Sequence, residues 1–283
     1  MNWIRQTFAM TGDLRRVSSQ TDPMSTYLES ISDISQLLEG LDQSQWELPT
    51  PCPGWTVADI VAHLIDLDAM AMGAPKPDHE PDWASLPHVK GSSNQFTERG
   101  VDYRRGTPPQ ELLKQLNDTA NALMESLANN SPNIKVPWVK DEIPLELFLS
   151  MRTFDAWTHE QDIRMTVNTS GNLGTNPART TFQRIINSIP LIWGKKVGAP
   201  IGSALTLTVT GPEIEGSVHI QVGPDGRAGF VDAPVADATT ITMSWPDLLY
   251  AFSGRVPVTE SLAAAHTSGD LSEEFISQLS STP

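Results

Sequence analysis

Leu28, Ile31, Ile34, Leu37, Leu38 and Leu41 recur at three- and four-residue intervals. That is the period of a helix with one buried face, and it predicts a helix over 25–43. Val57, Ile60, Val61, Leu64 and Ala71 repeat the pattern over 57–73. Further helices are expected at about 93–104, 109–129 and 144–167, the last with Pro144 in its first turn. Between Pro75 and Gly91 the run PKPDHEPDWASLPHVKG cannot be regular helix and reads as a long crossover loop. One long connection among antiparallel helices is a familiar route to a four-helix bundle.

The pattern changes after Gly171. Residues 177–196 read as one more helix, and then ALTLTVTG alternates with period two. SVHIQV, AGFVD and TTITMS read as further strands separated by Gly-Pro and Asp-Gly turns. Short helices over 246–252, 258–265 and 271–280 close the chain. The expected class is therefore a two-domain α + α/β chain, with a helical bundle over 24–170 and a small α+β domain over 175–283. Residues 1–23 read as a disordered extension, with Met24 as an alternative start.

Length and charge narrow the function. At 283 residues the chain exceeds the usual size of one domain. A formal charge of −15 argues against nucleic acid, which needs clustered Lys and Arg, and against an anionic membrane surface. No apolar run approaches the ~20 residues of a membrane span, and the N-terminus lacks the apolar core of a signal peptide. One cysteine, Cys52, rules out an internal disulfide and fits a reducing compartment. The expectation is a soluble cytoplasmic protein, monomer or homodimer.

Candidate chemistry sits in two stretches. In LPTPCPGWTVADIVAHLIDL, Thr56 and Asp59 form a Thr-x-x-Asp capping box and Trp55 a hydrophobic staple with Ile60. His63 lies at the edge of the helix's buried stripe, where it is either a structural histidine or a ligand. In MRTFDAWTHEQDIRM, Asp155 and His159 are spaced i, i+4 and share one helical face, with Asp162 nearby. Added to His63 they would make a facial His–carboxylate–His set of the catalytic metal type. The competing reading is that Asp155 and His159 pair with each other, or with Arg152 or Arg164. Cys52 precedes a helix N-terminus, where a thiolate is stabilised, yet it also reads as a bystander. His79, His88, His219 and His266 lack ligand spacing.

Together, W-x-x-P-T-P-C-P-G-W-T-V-x-D-I-V-A-H-L from Trp46 and D-A-W-x-H-E-x-D-I-R about 90 residues on resemble the mycothiol-dependent maleylpyruvate isomerase family. The resemblance implies a DinB-like four-helix bundle joined to a small sterol-carrier-like domain. It implies a divalent metal, usually zinc, held by His63, Asp155 and His159, where the family's middle ligand is glutamate or histidine. It also implies a low-molecular-weight thiol such as mycothiol, which would ionise at the open metal position and attack a small electrophilic substrate. The family's arginine from the C-terminal domain falls on Arg255 in FSGRVPV, whose planar fork suits a carboxylate. The implied activity is a metal- and thiol-dependent transferase or isomerase. Maleylpyruvate cis–trans isomerisation itself is a narrower alternative, and a non-catalytic small-ligand binding or sequestering protein is a third.

Overall fold

The computed structural model describes residues 12–128, 135–138 and 141–280. It divides into two compact units, 19–181 and 1–18 together with 182–283.

The first unit is helical. Helices α1 (Pro23–Glu39), α2 (Gln43–Trp46), α3 (Val57–Ala71), α4 (Ser92–Arg104) and α5 (Pro109–Ala128) are followed, after a short β-hairpin, by α6 (Leu145–Thr166). The helical periods placed five of these six. The four-residue α2, closed by an Asp42/Gln45 capping box, is too short to show a period. The hairpin pairs β2 (Lys135–Trp138) with β3 (Asp141–Pro144) in antiparallel register. It occupies a stretch with no strand-like alternation, and Pro144 caps α6 from outside rather than opening its first turn. α1 packs on α5 and α6, while α3 packs on α4, α5 and α6. Their shared core holds Tyr27, Ile34, Leu38, Val57, Ile60, Val61, Leu64, Leu116, Phe148 and Ile163. The 75–91 segment contains a 3₁₀ turn at Trp83–Ser85 and no longer helix. It lies along α4 through His79–Asp102 at 2.7 Å, Arg99–Glu80 at 2.7 Å and His88–Glu98 at 3.0 Å.

The second unit is a mixed sheet with helices. α7 (Asn176–Leu191) starts in the first unit and runs into a π-helical turn at Ile192–Lys196. The sheet has β4 (Ala204–Thr210) between antiparallel β5 (Gly216–Val222) and parallel β7 (Thr239–Ser244). β6 (Ala228–Val231) extends it beyond β5, and β8 (His266–Ser268) beyond β7. Alternation puts Leu205, Leu207, Val209, Val218, Ile220, Ile241 and Met243 in the core. Helices α8 (Trp245–Phe252), α9 (Val258–Ala264) and α10 (Ser272–Ser277) complete the unit. Phe182 meets Trp245 edge to face, centroids 4.9 Å apart. His266, expected near a helix end, lies in β8, a three-residue strand too short to signal itself.

The N-terminal extension needs correction. Residues 1–11 lie outside the described residues, but Gly12–Asp13 form a strand, β1, parallel to the start of β5. Gly216 permits this approach, since a Cβ there would collide with the Gly12 carbonyl oxygen. Leu14 is fully buried and Arg15 reaches Asp232 at 3.0 Å, so these contacts and two backbone pairings anchor the segment. So little contact carries no periodic signal. Among the described residues no helix is long and apolar enough to cross a membrane.

Candidate metal centre

The loop before α3 is built to place His63. Thr56 Oγ1 accepts from the Asp59 backbone NH, and the Asp59 carboxylate accepts from the Thr56 backbone NH at 2.9 Å. This capping box sets where α3 begins and hence the rotation of its faces. Gly54, at φ +79°, lies so close to His88 that a Cβ would strike the imidazole. Trp55 turns its ring toward the histidines, 4.9 Å from His63 and 6.1 Å from His159 between centroids. Its Nε1 donates to buried Glu98 at 2.8 Å, which also binds His88 and Arg105.

α6 supplies the other half. Its i, i+4 spacing stacks Asp155 and His159 beside His63. His63 Nε2 lies 3.4 Å from Asp155 Oδ2, and His159 Nε2 lies 3.6 Å from Asp155 Oδ1. The three residues each offer one ligand atom, all within 4.8 Å of one another. Both imidazoles are 5% exposed, whereas the Asp155 side chain keeps 28% of its surface. The donor set suits a borderline divalent ion such as zinc: two imidazole nitrogens and a carboxylate whose side chain is partly exposed. The fit rests on this convergence of two imidazole nitrogens on one carboxylate.

Buried charge surrounds the cluster. Arg152, 1% exposed, donates to Asp155 Oδ2 at 2.6 Å, to Asp68 Oδ1 at 2.9 Å and to the Leu64 carbonyl at 3.3 Å. Tyr27 donates a short hydrogen bond to Asp68 from the other side. Asp155 pairs with Arg152 through one oxygen, as the pairing reading expected, and faces His159 with the other. Burial alone would raise the Asp155 carboxyl, but His63 foremost, then Arg152 and His159, hold it far below the usual range. For His63 burial dominates and lowers its pKa against the pull of Asp155. Burial likewise opposes the charge on His159, yet the Asp162 hydrogen bond, Cys52 and Asp155 push it up to about 10.

Asp162 and Cys52, from the same two stretches, meet at His159. Asp162 Oδ2 lies 2.9 Å from His159 Nδ1, and the Cys52 thiol donates to the same oxygen at 3.2 Å. The signal was available as His-x-x-Asp, a one-turn spacing. The Tyr27–Asp68–Arg152 chain joins three helices and had no local signature. Arg255 is not among the residues the helical unit brings together. It follows Gly254 in the turn after α8, where its backbone NH bonds the Tyr250 carbonyl and its Nη1 the Ser253 carbonyl at 2.9 Å.

The architecture defines a class, in which a DinB-like helical bundle precedes a mixed-sheet domain. More particularly, residues 27–164 match the family model described as Mycothiol maleylpyruvate isomerase N-terminal domain. The match falls within the helical unit and includes the two stretches that resemble the family. In fold, the chain resembles the crystal structure of the mycothiol-dependent maleylpyruvate isomerase, with a TM-score of 0.54 and 17% sequence identity. The likeness covers 89% of this chain and 94% of that one, and a histidine-to-alanine mutant of the isomerase scores 0.53 with the same coverage. An uncharacterized protein from two strains of Mycobacterium tuberculosis is 26% identical over 132 residues, 46% of this chain. The match spans about half, 51%, of that relative's length.

Proposed function

We propose that this protein is a metal-dependent transferase or isomerase that uses a low-molecular-weight thiol such as mycothiol on a small electrophilic substrate. The observation that carries this reading is the convergence of His63 Nε2, His159 Nε2 and the partly exposed Asp155 carboxylate. These three residues would hold a divalent ion, two imidazoles and one carboxylate being donor chemistry that zinc accepts. When bound, that ion supplies a lowered pKa for a coordinated thiol, which makes a thiolate available at neutral pH.

The chain's own residues do the rest. Arg152 fixes the Asp155 carboxylate at Oδ2, the oxygen nearer His63, while Oδ1 faces His159. Trp55 packs its ring beside both histidines, tilted against each. Arg255 would orient a carboxylate of the thiol or substrate, and this role is carried over from the family alone. Maleylpyruvate is the narrower substrate proposal, supported by the domain family and by the fold neighbour's name.

The test is metal content by mass spectrometry on wild type beside His63→Ala and His159→Ala. About one equivalent in wild type, lost in both variants with the fold retained, is expected. Cobalt-substituted protein should then change its absorption spectrum on adding thiol. Metal-free wild type after reconstitution would return His63 to a structural role and favour a ligand-binding protein.

A further inference from the structure

The two histidines of the cluster are held in different ways. His63 Nδ1 is buried with no hydrogen-bond partner among the described residues, and its ring rests on Trp55. His159 Nδ1 instead meets Asp162 Oδ2 at 2.9 Å, and Asp162 is 1% exposed. The same oxygen accepts from the Cys52 thiol at 3.2 Å. His159 and Asp162 are one helical turn apart, so α6 carries both the ring and its anchor. Cys52 comes from the PCPGW loop and ties that loop to the anchor.

A carboxylate on one imidazole nitrogen fixes the proton there and leaves the other nitrogen's lone pair free. We infer that Asp162, braced by Cys52, is a positioning residue that keeps His159 with Nδ1 as donor and Nε2 turned to the proposed cation. The inference rests on the metal reading given above. Geometry separates it from one competitor. Cys52 Sγ, His159 Nδ1 and Asp162 Oδ2 also lie within 4.8 Å of one another, as three ligands of a second ion would. Donor atoms around tetrahedral zinc, with bonds of about 2.0–2.3 Å, stand roughly 3.3 Å or more apart. The 2.9 Å contact between His159 and Asp162 is shorter than that and is the spacing of a shared proton.

The experiment measures zinc affinity of the full chain by competition with a chromophoric chelator, with unfolding of the metal-free proteins followed alongside. Asp162→Ala should weaken zinc binding by about 10- to 100-fold, the usual effect of losing such a partner. Asp162→Asn keeps an acceptor without its charge and should lose about 10-fold, and it carries the test if the alanine variant fails to fold. Cys52→Ser should bind zinc as wild type does. Glu160→Gln, next to His159 but paired with Arg164 and Asn172, should also leave affinity unchanged, which separates positioning from general damage to α6. In zinc-loaded wild type, nitrogen NMR should show His159 protonated at Nδ1, and Asp162→Asn should weaken that signature. Wild-type zinc affinity and tautomer in Asp162→Asn would overturn the inference while the metal site stands. Two zinc ions per chain, one lost in Cys52→Ala, would overturn it in favour of direct ligation by Cys52 and Asp162. Wild type that binds no zinc would overturn the metal reading and this inference with it.

Discussion

Arg152 is the most consequential side chain outside the proposed ligands. It is a fully buried cation serving two carboxylates, Asp68 at 2.9 Å and Asp155 at 2.6 Å. Arg152→Met removes the charge while filling much the same volume. Each attraction is worth about 4 kcal/mol for charges ~4 Å apart at an effective dielectric of 20, before desolvation is subtracted. The intact cluster is therefore near neutral in stability, but breaking it is not. Asp155 keeps 28% exposure and can turn to water. Asp68 has no exposure and, among the described residues, keeps the Tyr27 hydroxyl. The cost of the variant falls on Asp68, and about 3–5 kcal/mol is expected for stranding such a buried charge. Urea unfolding of metal-free protein, with a chelator present, measures it as a shift in midpoint at unchanged slope. Adding Asp68→Asn to Arg152→Met should recover at least about half of the loss, because the stranded charge is gone. A loss below about 1 kcal/mol, or no recovery in the double variant, would refute the assignment of Arg152 as the counter-charge of Asp68.

Other expectations can be checked the same way. Burial pushes the Glu160 carboxyl up to about 7 against its pairing with Arg164 and Asn172. The folded state then binds more protons than the unfolded one between pH 4.5 and 7, so this group's contribution is full at low pH and fades as pH rises through about 7. The span is on the order of 3 kcal/mol, and Glu160→Gln should flatten stability against pH over that window. Gly54→Ala should cost about 1–3 kcal/mol in thermal unfolding, from its left-handed φ and the collision with His88. Adding His88→Ala should restore the collision's share only. Thr56→Ala should cost about 1 kcal/mol through the lost cap, read as a lower melting temperature.

The sequence by itself determined the helical faces, the strand alternation, the α3 capping box and the pairing of Asp155 with His159 on one face. These depend on neighbours within about one turn or one strand, and such spacing survives in the linear order. It also contained the family motifs that match over 27–164. The β2–β3 hairpin, α2, β8 and the paired Gly12–Asp13 were not legible, because each is too short for a period to repeat. Only the tertiary structure decided that Asp155 serves Arg152 and faces both histidines together, since Arg152 is pinned by Asp68 84 residues away. It likewise decided that Cys52, 110 residues from Asp162, shares its carboxylate oxygen with His159. Contacts of that range follow from how α3 and α6 lie against each other. No local spacing records it, because the packing of whole helix faces sets which side chains meet.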